Sequence, residues 1–207
     1  MDSTRYFEEV AEQWDTMRTN FFTEVVREKA YDVAKVEKGK IAADIGAGTG
    51  FITEGLLERG LKVIAVDLSD EMLQILKRKF NQYAQVVCLQ GKSESLPIED
   101  QSVDYSMANM YLHHVEDPLS AIKEMKRILK TGGKLVITDL DTHEFEFLRT
   151  EHYDRWMGFN REDIKRWFIE AGLKNISIDC VGGECCTTSI EGCEEAKISI
   201  FIAYGEA

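Results

Sequence analysis

The 207-residue chain carries a formal net charge of −12 and is 44% hydrophobic, which is enough apolar side chain for one sizeable core. A surface this acidic repels phosphate backbones, so nucleic acid is a poor partner. We find no run of 18 apolar residues, and therefore expect no membrane span. The acidic N-terminal stretch lacks the layout of a signal peptide, so we expect a cytoplasmic protein. Five cysteines, an odd number, argue against a disulfide framework.

The chain begins with a helical region. Residues 1–35 predict helices, and one face of the first is apolar, formed by Phe7, Val10, Ala11 and Trp14. The stretch IAADIG (41–46) then predicts the first strand.

Strands and helices alternate through the middle of the chain. Short β-branched runs predict four further strands, at 62–67, 85–90, 103–109 and 134–140. Between them, apolar periodicity predicts helices over 69–80, with Ser69 as N-cap, and over 118–133, with Pro118 in the first turn and Gly132 and Gly133 at its end. This alternation is typical of a parallel sheet with helices on both faces.

The C-terminal part has a different pattern. A helix is predicted at about 161–171, followed by strands at 175–181 and 196–205. The connection GGECCTTSIEGC is too short for a crossover helix, so these last two strands are expected to pair antiparallel.

Three glycines follow the first strand, where ligands bind in open α/β sheets. A dinucleotide site would show G-x-G-x-x-G, but here the pattern is G-x-G-x-G and Phe51 stands where the third glycine belongs. Glu54 in the first helical turn and Asp44 before the glycines add negative charge, which disfavours a diphosphate. Asp44 suits a ligand with an ammonium group, so an NAD-type oxidoreductase is the weaker alternative.

Asp67 ends the second strand, 17 residues beyond Gly50. A carboxylate there can accept both hydroxyls of a ribose, in NAD or in another adenosine ligand. Asp67 therefore predicts a nucleoside without deciding which one.

Four blocks, DIGAGTG, VDLSDEML, LPIEDQSVDYSMANMYLHHVEDP and EMKRILKTGGKLVITDL, together resemble the class I S-adenosylmethionine-dependent methyltransferases, and more narrowly the type-11, ubiquinone/menaquinone-biosynthesis-like group. They cover about residues 40–140. The resemblance implies a Rossmann-like fold: a mostly parallel seven-stranded sheet with an antiparallel C-terminal strand and helices on both faces. It also implies S-adenosylmethionine as cofactor, with S-adenosylhomocysteine as product, and a small-molecule methyl acceptor.

The resemblance carries roles for individual residues. The methionine part of the cofactor would lie against Asp44 and the glycine turn, that is, Gly46, Ala47, Gly48 and Gly50. The ribose would lie on Asp67 and the adenine near Leu68 and Met72. The family's adenine-binding aspartate is replaced by Lys92, which leaves Ser93 and Glu94 as substitutes. Asn109 would end the fourth strand beside the substrate.

The resemblance also implies an organisation. The whole chain, 1–207, is expected to form a single domain as a monomer or homodimer. Its parts would be an N-terminal helical lid (1–35) that brings Trp14 over the cofactor, a cofactor-binding core (40–140), a substrate cap and helix (139–172) and a C-terminal β-hairpin (173–207).

Methyl transfer from a sulfonium is an in-line displacement that needs alignment, exclusion of water and sometimes a base. His113 and His114 are candidate bases because imidazole titrates near neutral pH. Asp139, Asp141 and His143 alternate in an order that could bind metal, but three such residues alone are weak evidence and no metal is predicted. In the cap, helical spacing predicts that one helix face carries Glu146, Arg149, His152 and Trp156.

Four cysteines cluster on the predicted hairpin, while Cys88 stands apart in the third strand. The four are Cys180, Cys185, Cys186 and Cys193. Because thiolates bind soft metals and metalloids, an arsenite-like acceptor is an alternative. A cofactor-binding module without catalysis is another. The acceptor atom, oxygen, sulfur, carbon, nitrogen or arsenic, stays open.

Overall fold

The structure, a computed structural model, describes residues 3–189 and 195–207. Within these ranges, none of the helices combines the length and the apolar character needed to cross a bilayer.

A seven-stranded sheet forms the centre of the molecule, in the order β3-β2-β1-β4-β5-β7-β6. The strands are β1 (Ile41–Ile45), β2 (Lys62–Asp67), β3 (Val86–Gln90), β4 (Val103–Asn109), β5 (Leu129–Leu140), β6 (Lys174–Thr188) and β7 (Glu195–Glu206). Strands β1 to β5 pair in parallel, and β7 pairs antiparallel with both β5 and β6. The predicted mostly parallel sheet with an antiparallel C-terminal strand is confirmed.

The helices are α1 (Ser3–Val10), α2 (Trp14–Met17), α3 (Glu24–Ala34), α4 (Phe51–Glu58), α5 (Asp70–Lys79), α6 (Pro118–Arg127), α7 (Glu146–Glu151) and α8 (Arg161–Glu170). They bury the sheet in two apolar clusters, one joining α3 and α4 and the other α6 and α8. Neighbouring residues of β1 divide between the clusters, Ala42 in the first and Ala43 in the second, because successive side chains of a strand point to opposite faces.

The strand order positions the site. From β1 the chain moves outward to β2 and β3, and then crosses back to β4 on the other side of β1. At such a reversal the connections leave in opposite directions and open a crevice beyond the carboxyl ends of the strands. The glycine turn that follows β1 lies at this crevice.

Local capping signals fix the helix starts. Ser69 caps α5 through its hydroxyl, which accepts the N–H of Met72 at 3.1 Å, as predicted. Pro118 opens α6, and Asp117 caps that helix by accepting the N–H of Ser120 at 3.1 Å.

The predicted end of α6 is wrong. The helix stops at Arg127, and β5 already begins at Leu129, so the two glycines at 132 and 133 lie inside the strand. The register of β5 against β4 shifts between Val103 and Tyr105, which marks an irregularity at the start of this pairing.

The last hairpin is longer than predicted. The strand β6 continues through the stretch we expected to be a connection and reaches Thr188, with a register shift against β7 between Cys180 and Glu184. Cys185 and Cys186 therefore lie in a strand, while Cys193 falls outside the described residues.

The predicted cap helix is also shorter than its spacing suggested. Only Glu146–Glu151 is helical, and the chain then runs irregularly to α8. His152 and Trp156 therefore do not share a helix face with Glu146 and Arg149. Trp156 stays exposed, and it donates its indole N–H to the carbonyl of Val115 at 2.8 Å.

Candidate functional site

A cavity of about 280 Å³ opens at the carboxyl ends of β1, β2 and β4. Most of the residues predicted to bind the cofactor line it. These are Trp14, Asp44, Gly46, Ala47, Gly48, Asp67, Leu68, Met72, Glu94 and Asn109. Two predicted residues, Gly50 and Ser93, do not line it.

The glycine turn forms one wall because its backbone takes conformations that side chains would not allow. Gly46 has φ +68°, and a Cβ at this position would lie 2.2 Å from the ring of Tyr111. The N–H groups of Gly46 and Ala47 both donate to the carbonyl of Val66, at 2.9 and 3.0 Å. The turn is thus tied to β2 and presses against an aromatic ring.

Gly50 serves the packing behind the turn. It caps α4 with φ +96°, and a Cβ there would lie 2.6 Å from the ring of Phe80 and 3.1 Å from Leu76. Its side faces α5 and not the cavity. The third glycine of the motif therefore allows close approach of a helix.

Two backbone N–H groups hold the carboxylate of Asp67 in place. One carboxylate oxygen accepts the N–H of Gly48 at 2.8 Å, and the other accepts the N–H of Ser69 at 2.9 Å. Burial raises the pKa of Asp67, and these backbone N–H groups work against that rise. A carboxylate oriented in this way still has free lone pairs, which can accept hydrogen bonds from two hydroxyl groups of a ligand.

Asp44 is almost completely buried at the end of β1. One of its oxygens accepts both the N–H and the hydroxyl of Thr53, at 2.9 and 2.7 Å. Burial raises the pKa of Asp44 to about 7, opposed by the Thr53 hydrogen bonds, and nearby Asp67 raises it further. A cationic ligand group beside Asp44 would reverse this effect and favour the ionised form.

The side of the cavity expected to face adenine carries a lysine where the family pattern has an aspartate. Lys92, which replaces the expected aspartate, lines the cavity together with Glu94, Leu68 and Met72. Ser93 is buried behind them, and its hydroxyl lies 3.1 Å from a carboxylate oxygen of Glu94.

The N-terminal segment lies over the glycine turn. Trp14 lines the cavity, and a Cβ on Gly48 would lie 3.7 Å from its indole nitrogen. Asp15 fastens this segment by accepting the hydroxyl of Thr49 at 2.7 Å and pairing with Lys79 at 2.8 Å.

Side chains, not backbone, build the opposite end of the site. His113 Nδ1 lies 2.6 Å from Asp139 Oδ1, and His113 Nε2 lies 3.8 Å from Asp154 Oδ1. Burial lowers the pKa of His113, but the two carboxylates outweigh burial and raise it to about 9. Burial raises the pKa of Asp154 to about 6, against the effect of His113. The group is therefore a buried, charged cluster.

His114 connects this cluster to the cavity, which it lines. Its Nδ1 lies 3.9 Å from Asp154 Oδ1 and has no hydrogen-bond partner among the described residues. Burial and the neighbouring His113 lower the pKa of His114 well below its usual value. Of the two predicted bases, His114 is thus neutral and faces the cavity, whereas His113 is charged and lies behind it.

The second predicted cluster does not form a single site. Asp139 faces His113, but Asp141 makes a two-pronged ion pair with Arg161, at 2.7 and 2.6 Å. Burial lowers the pKa of His143 to about 4, assisted by His113. These residues therefore divide between the buried cluster and a link from the cap to α8.

The cysteines also separate. Cys185 is buried and lines a small cavity of about 40 Å³ together with His113, His114 and Asp154. Burial raises the pKa of its thiol to about 12. Cys180 is exposed and Cys186 half-buried on the same strand, and Cys88 lies on β3. Only one of the described cysteines reaches the site.

Several cavity residues were missed by sequence reasoning. Tyr111 packs on the glycine turn, and its hydroxyl lies 3.4 Å from that of Ser93. Asp154 and Arg155 come from the irregular part of the cap. An aromatic residue shortly after β4 could have indicated Tyr111, but no spacing in the sequence brings residue 154 to the histidines.

Comparisons with known proteins agree with this fold. Residues 43–137 match a family model described as a methyltransferase domain. The demethylmenaquinone methyltransferase of Staphylococcus aureus is 30% identical, over 84% of this chain and 86% of that protein. A SAM-dependent methyltransferase from Aquifex aeolicus has the same fold, with a TM-score of 0.69 at 20% identity over 96% of this chain and 97% of that one.

An uncharacterized methyltransferase of Mycobacterium tuberculosis is 46% identical over 92 residues, which are 44% of this chain and 36% of that protein. The match thus spans about a third of the mycobacterial protein's length. Together, the fold, the family match and the staphylococcal relative show that the chain belongs to the class I S-adenosylmethionine-dependent methyltransferase family.

Proposed function

We propose that the protein transfers the methyl group of S-adenosylmethionine to a small-molecule acceptor. The observation that carries this proposal is a single cavity in which a buried carboxylate, a glycine turn and a second carboxylate follow one another at the ends of β1 and β2. Family membership supplies the cofactor class, and the chemistry of the lining fits it.

In this proposal each part of the cofactor has a partner. The ammonium group of its methionine part pairs with Asp44, and the sulfonium lies along the glycine turn. The ribose hydroxyls bind Asp67, and the adenine lies between Leu68 and Met72, with Lys92 and Glu94 at its polar edge. A diphosphate on the glycine turn would be repelled by the carboxylate of Asp44, which faces the same part of the cavity.

The acceptor enters beyond Asn109, on the side of His114. Its nucleophilic atom attacks the methyl carbon in line with the carbon–sulfur bond, and the bonding pair leaves with sulfur to give S-adenosylhomocysteine. An acceptor that carries a proton loses it on this side. The neutral His114 is the group we assign to receive that proton, and His113, held between two carboxylates, is a positioning residue.

The test uses the full chain and two measurements. Calorimetric titration compares S-adenosylmethionine with NAD, and we expect binding of the first alone. Release of S-adenosylhomocysteine is then followed with a panel of quinol, phenol and thiol acceptors. Quinols come first because the staphylococcal relative is a demethylmenaquinone methyltransferase. Binding of NAD without binding of the sulfonium would refute the proposal.

A further inference from the structure

All four histidines of the chain occupy the acceptor end of the molecule. They are His113, His114, His143 and His152. Each imidazole is largely withdrawn from solvent, and three of the four have a buried ring nitrogen without a hydrogen-bond partner in the described part of the chain: His114 Nδ1, His143 Nε2 and His152 Nε2. Buried polar atoms of native proteins are rarely left unpaired, so this concentration calls for an explanation.

Three side chains in this region bring their donor atoms to one point. One ring nitrogen each from His113 and His114 and one carboxylate oxygen of Asp154 lie within 4.8 Å of one another. The two nitrogens nearest Asp154 Oδ1 are 3.8 and 3.9 Å from it, too far for hydrogen bonds. Two ligands of a tetrahedral zinc ion, each about 2.1 Å from it, lie about 3.4 Å apart. A small inward movement of the three side chains would therefore bring their donor atoms to coordination distance from one ion.

We propose that His113, His114 and Asp154 bind a divalent transition-metal ion of the zinc type. Two neutral imidazoles and one carboxylate are a donor set that suits such ions. Binding would therefore release the proton that His113 holds in the metal-free chain. His114 points an unpaired Nδ1 at the carboxylate of Asp154, and only 9% of the His114 side chain is exposed. Nothing else in the described chain satisfies this nitrogen.

The surroundings of the three side chains also match a metal site. A metal-binding histidine almost always donates its second ring N–H to a carboxylate or a carbonyl. His113 has Asp139 Oδ1 at 2.6 Å from its other nitrogen. Hydrogen bonding to the backbone of Tyr153 acts on the pKa of His114 in the upward direction, against the larger effect of burial, and His114 Nδ1 lies 3.9 Å from Asp154 Oδ1. Each imidazole is thus oriented so that its remaining nitrogen faces Asp154.

The proposed ion lies beside the cofactor cavity. His114 and Met110 line both that cavity and the smaller one that holds His113 and Asp154. Metal binding does not depend on the proposed methyl transfer. If both are correct, the ion would occupy the lone pair of His114 and would lower the pKa of an acceptor bound to it, so that the acceptor's proton would leave to solvent instead of to the imidazole.

The experiment measures metal binding directly. The full chain is stripped with a chelator and dialysed, and Zn²⁺ is then titrated by calorimetry, with the visible absorption of Co²⁺ as an independent report of coordination. We expect one ion per chain. We expect Asp154→Asn and His114→Gln each to weaken Zn²⁺ binding by about 10-fold or more, with folding verified by circular dichroism.

Two matched controls keep the result specific. Asp179→Asn changes an exposed carboxylate on β6, and His143→Gln changes a buried histidine outside the set of three. Both should leave the affinity within about twofold. Absence of stoichiometric binding to the unaltered chain would overturn the proposal. Binding that survives both Asp154→Asn and His114→Gln would assign the ion elsewhere, for example to the cysteines of β6, and would also overturn it.

Discussion

At the donor end of the cavity the glycine turn contributes bare backbone to the wall, whereas at the acceptor end a buried cluster of charged side chains lies behind the neutral His114. Gly46 and Gly48 present bare main chain, and Asp67 is itself held by two backbone N–H groups. At the other end, His113 is buried between Asp139 and Asp154. Backbone walls depend on local turns and change little when distant residues change. A buried charge cluster depends on every member, because each charge is costly without its partners.

We expect the largest loss of stability from substitutions at the acceptor end. We expect Asp139→Ala to lower the free energy of unfolding by about 3–5 kcal/mol, because it leaves His113 buried without its main partner. The affinity of the folded fraction for S-adenosylmethionine should stay nearly unchanged. Chemical denaturation of metal-free protein measures the first quantity, with the exposed Asp179→Ala as control. If Asp139→Ala lowers the unfolding free energy no more than the control does, the charged cluster does not stabilise the fold.

At the donor end, Gly46→Ala should combine strain with a collision. A positive φ costs an ordinary residue about 1–2 kcal/mol, and the added methyl would also press on Tyr111 at 2.2 Å. We expect an unfolding free energy lower by about 2–4 kcal/mol and loss of cofactor binding. Gly132→Ala is the matched control, because Gly132 has φ +77° but open space around it. If the two substitutions lower the unfolding free energy equally, the close approach of Gly46 to Tyr111 has no role.

Removing the carboxylate of Asp67 should weaken the cofactor more than it weakens the fold. We expect Asp67→Ala to reduce the affinity for S-adenosylmethionine by roughly 1–3 kcal/mol, the scale of lost charge-assisted hydrogen bonds. Calorimetry with the exposed Asp70→Ala as control measures the difference. Unchanged affinity would remove Asp67 from the ribose site.

The pH dependence of cofactor binding should reflect Asp44. Because burial raises the pKa of Asp44 to about 7, the free protein holds a proton there below that pH. An ammonium group needs the ionised form, so affinity should rise by up to about tenfold per pH unit below pH 7 and level off above it. Titrations at several pH values measure this slope, and Asp44→Asn should abolish it. A flat profile in the unaltered protein would contradict the pairing.

Asp44 should also make the stability of the fold depend on pH. Its folded pKa lies above its usual value of 3.8, so between about pH 4 and 7 the folded chain binds the extra proton. The contribution of Asp44 to stability is therefore complete at low pH and is lost as pH rises through this window. Asp44→Asn should flatten that part of the profile.

The smallest effect is expected where the N-terminal segment meets the glycine turn. Thr49→Val removes the hydroxyl that donates to Asp15 at 2.7 Å. We expect an affinity loss of about 1 kcal/mol, seen mainly as faster release of the cofactor. Thr19→Val, which removes an exposed hydrogen bond within the same segment, is the control. If both variants release the cofactor at the same rate, the segment does not act as a lid.

Most of the donor end could be predicted from the amino-acid sequence, because the signals there are local. Glycine spacing after a β-branched strand defines a turn, and a serine before an acidic, periodic stretch defines a helix start, as Ser69 does for α5. Alternating strands and helices restrict the chain to a parallel sheet, since each crossover must return over a face. Local periodicity was less reliable for ends of elements: β6 runs on to Thr188 because it has β7 to pair with.

The acceptor end, by contrast, could not be predicted, because it forms from residues that are far apart in the chain. The partners of the histidines come from β5 and from an irregular segment of the cap, so that His113 and Asp154 are 41 positions apart in the chain. No periodicity relates such positions, because a loop without regular structure follows the surface on which it packs. Packing between distant elements also explains why Gly50 faces α5 and why Tyr111 lines the cavity. The glycine turn was predictable because local backbone geometry forms it. The histidine and aspartate cluster was not, because only the complete fold brings its side chains together.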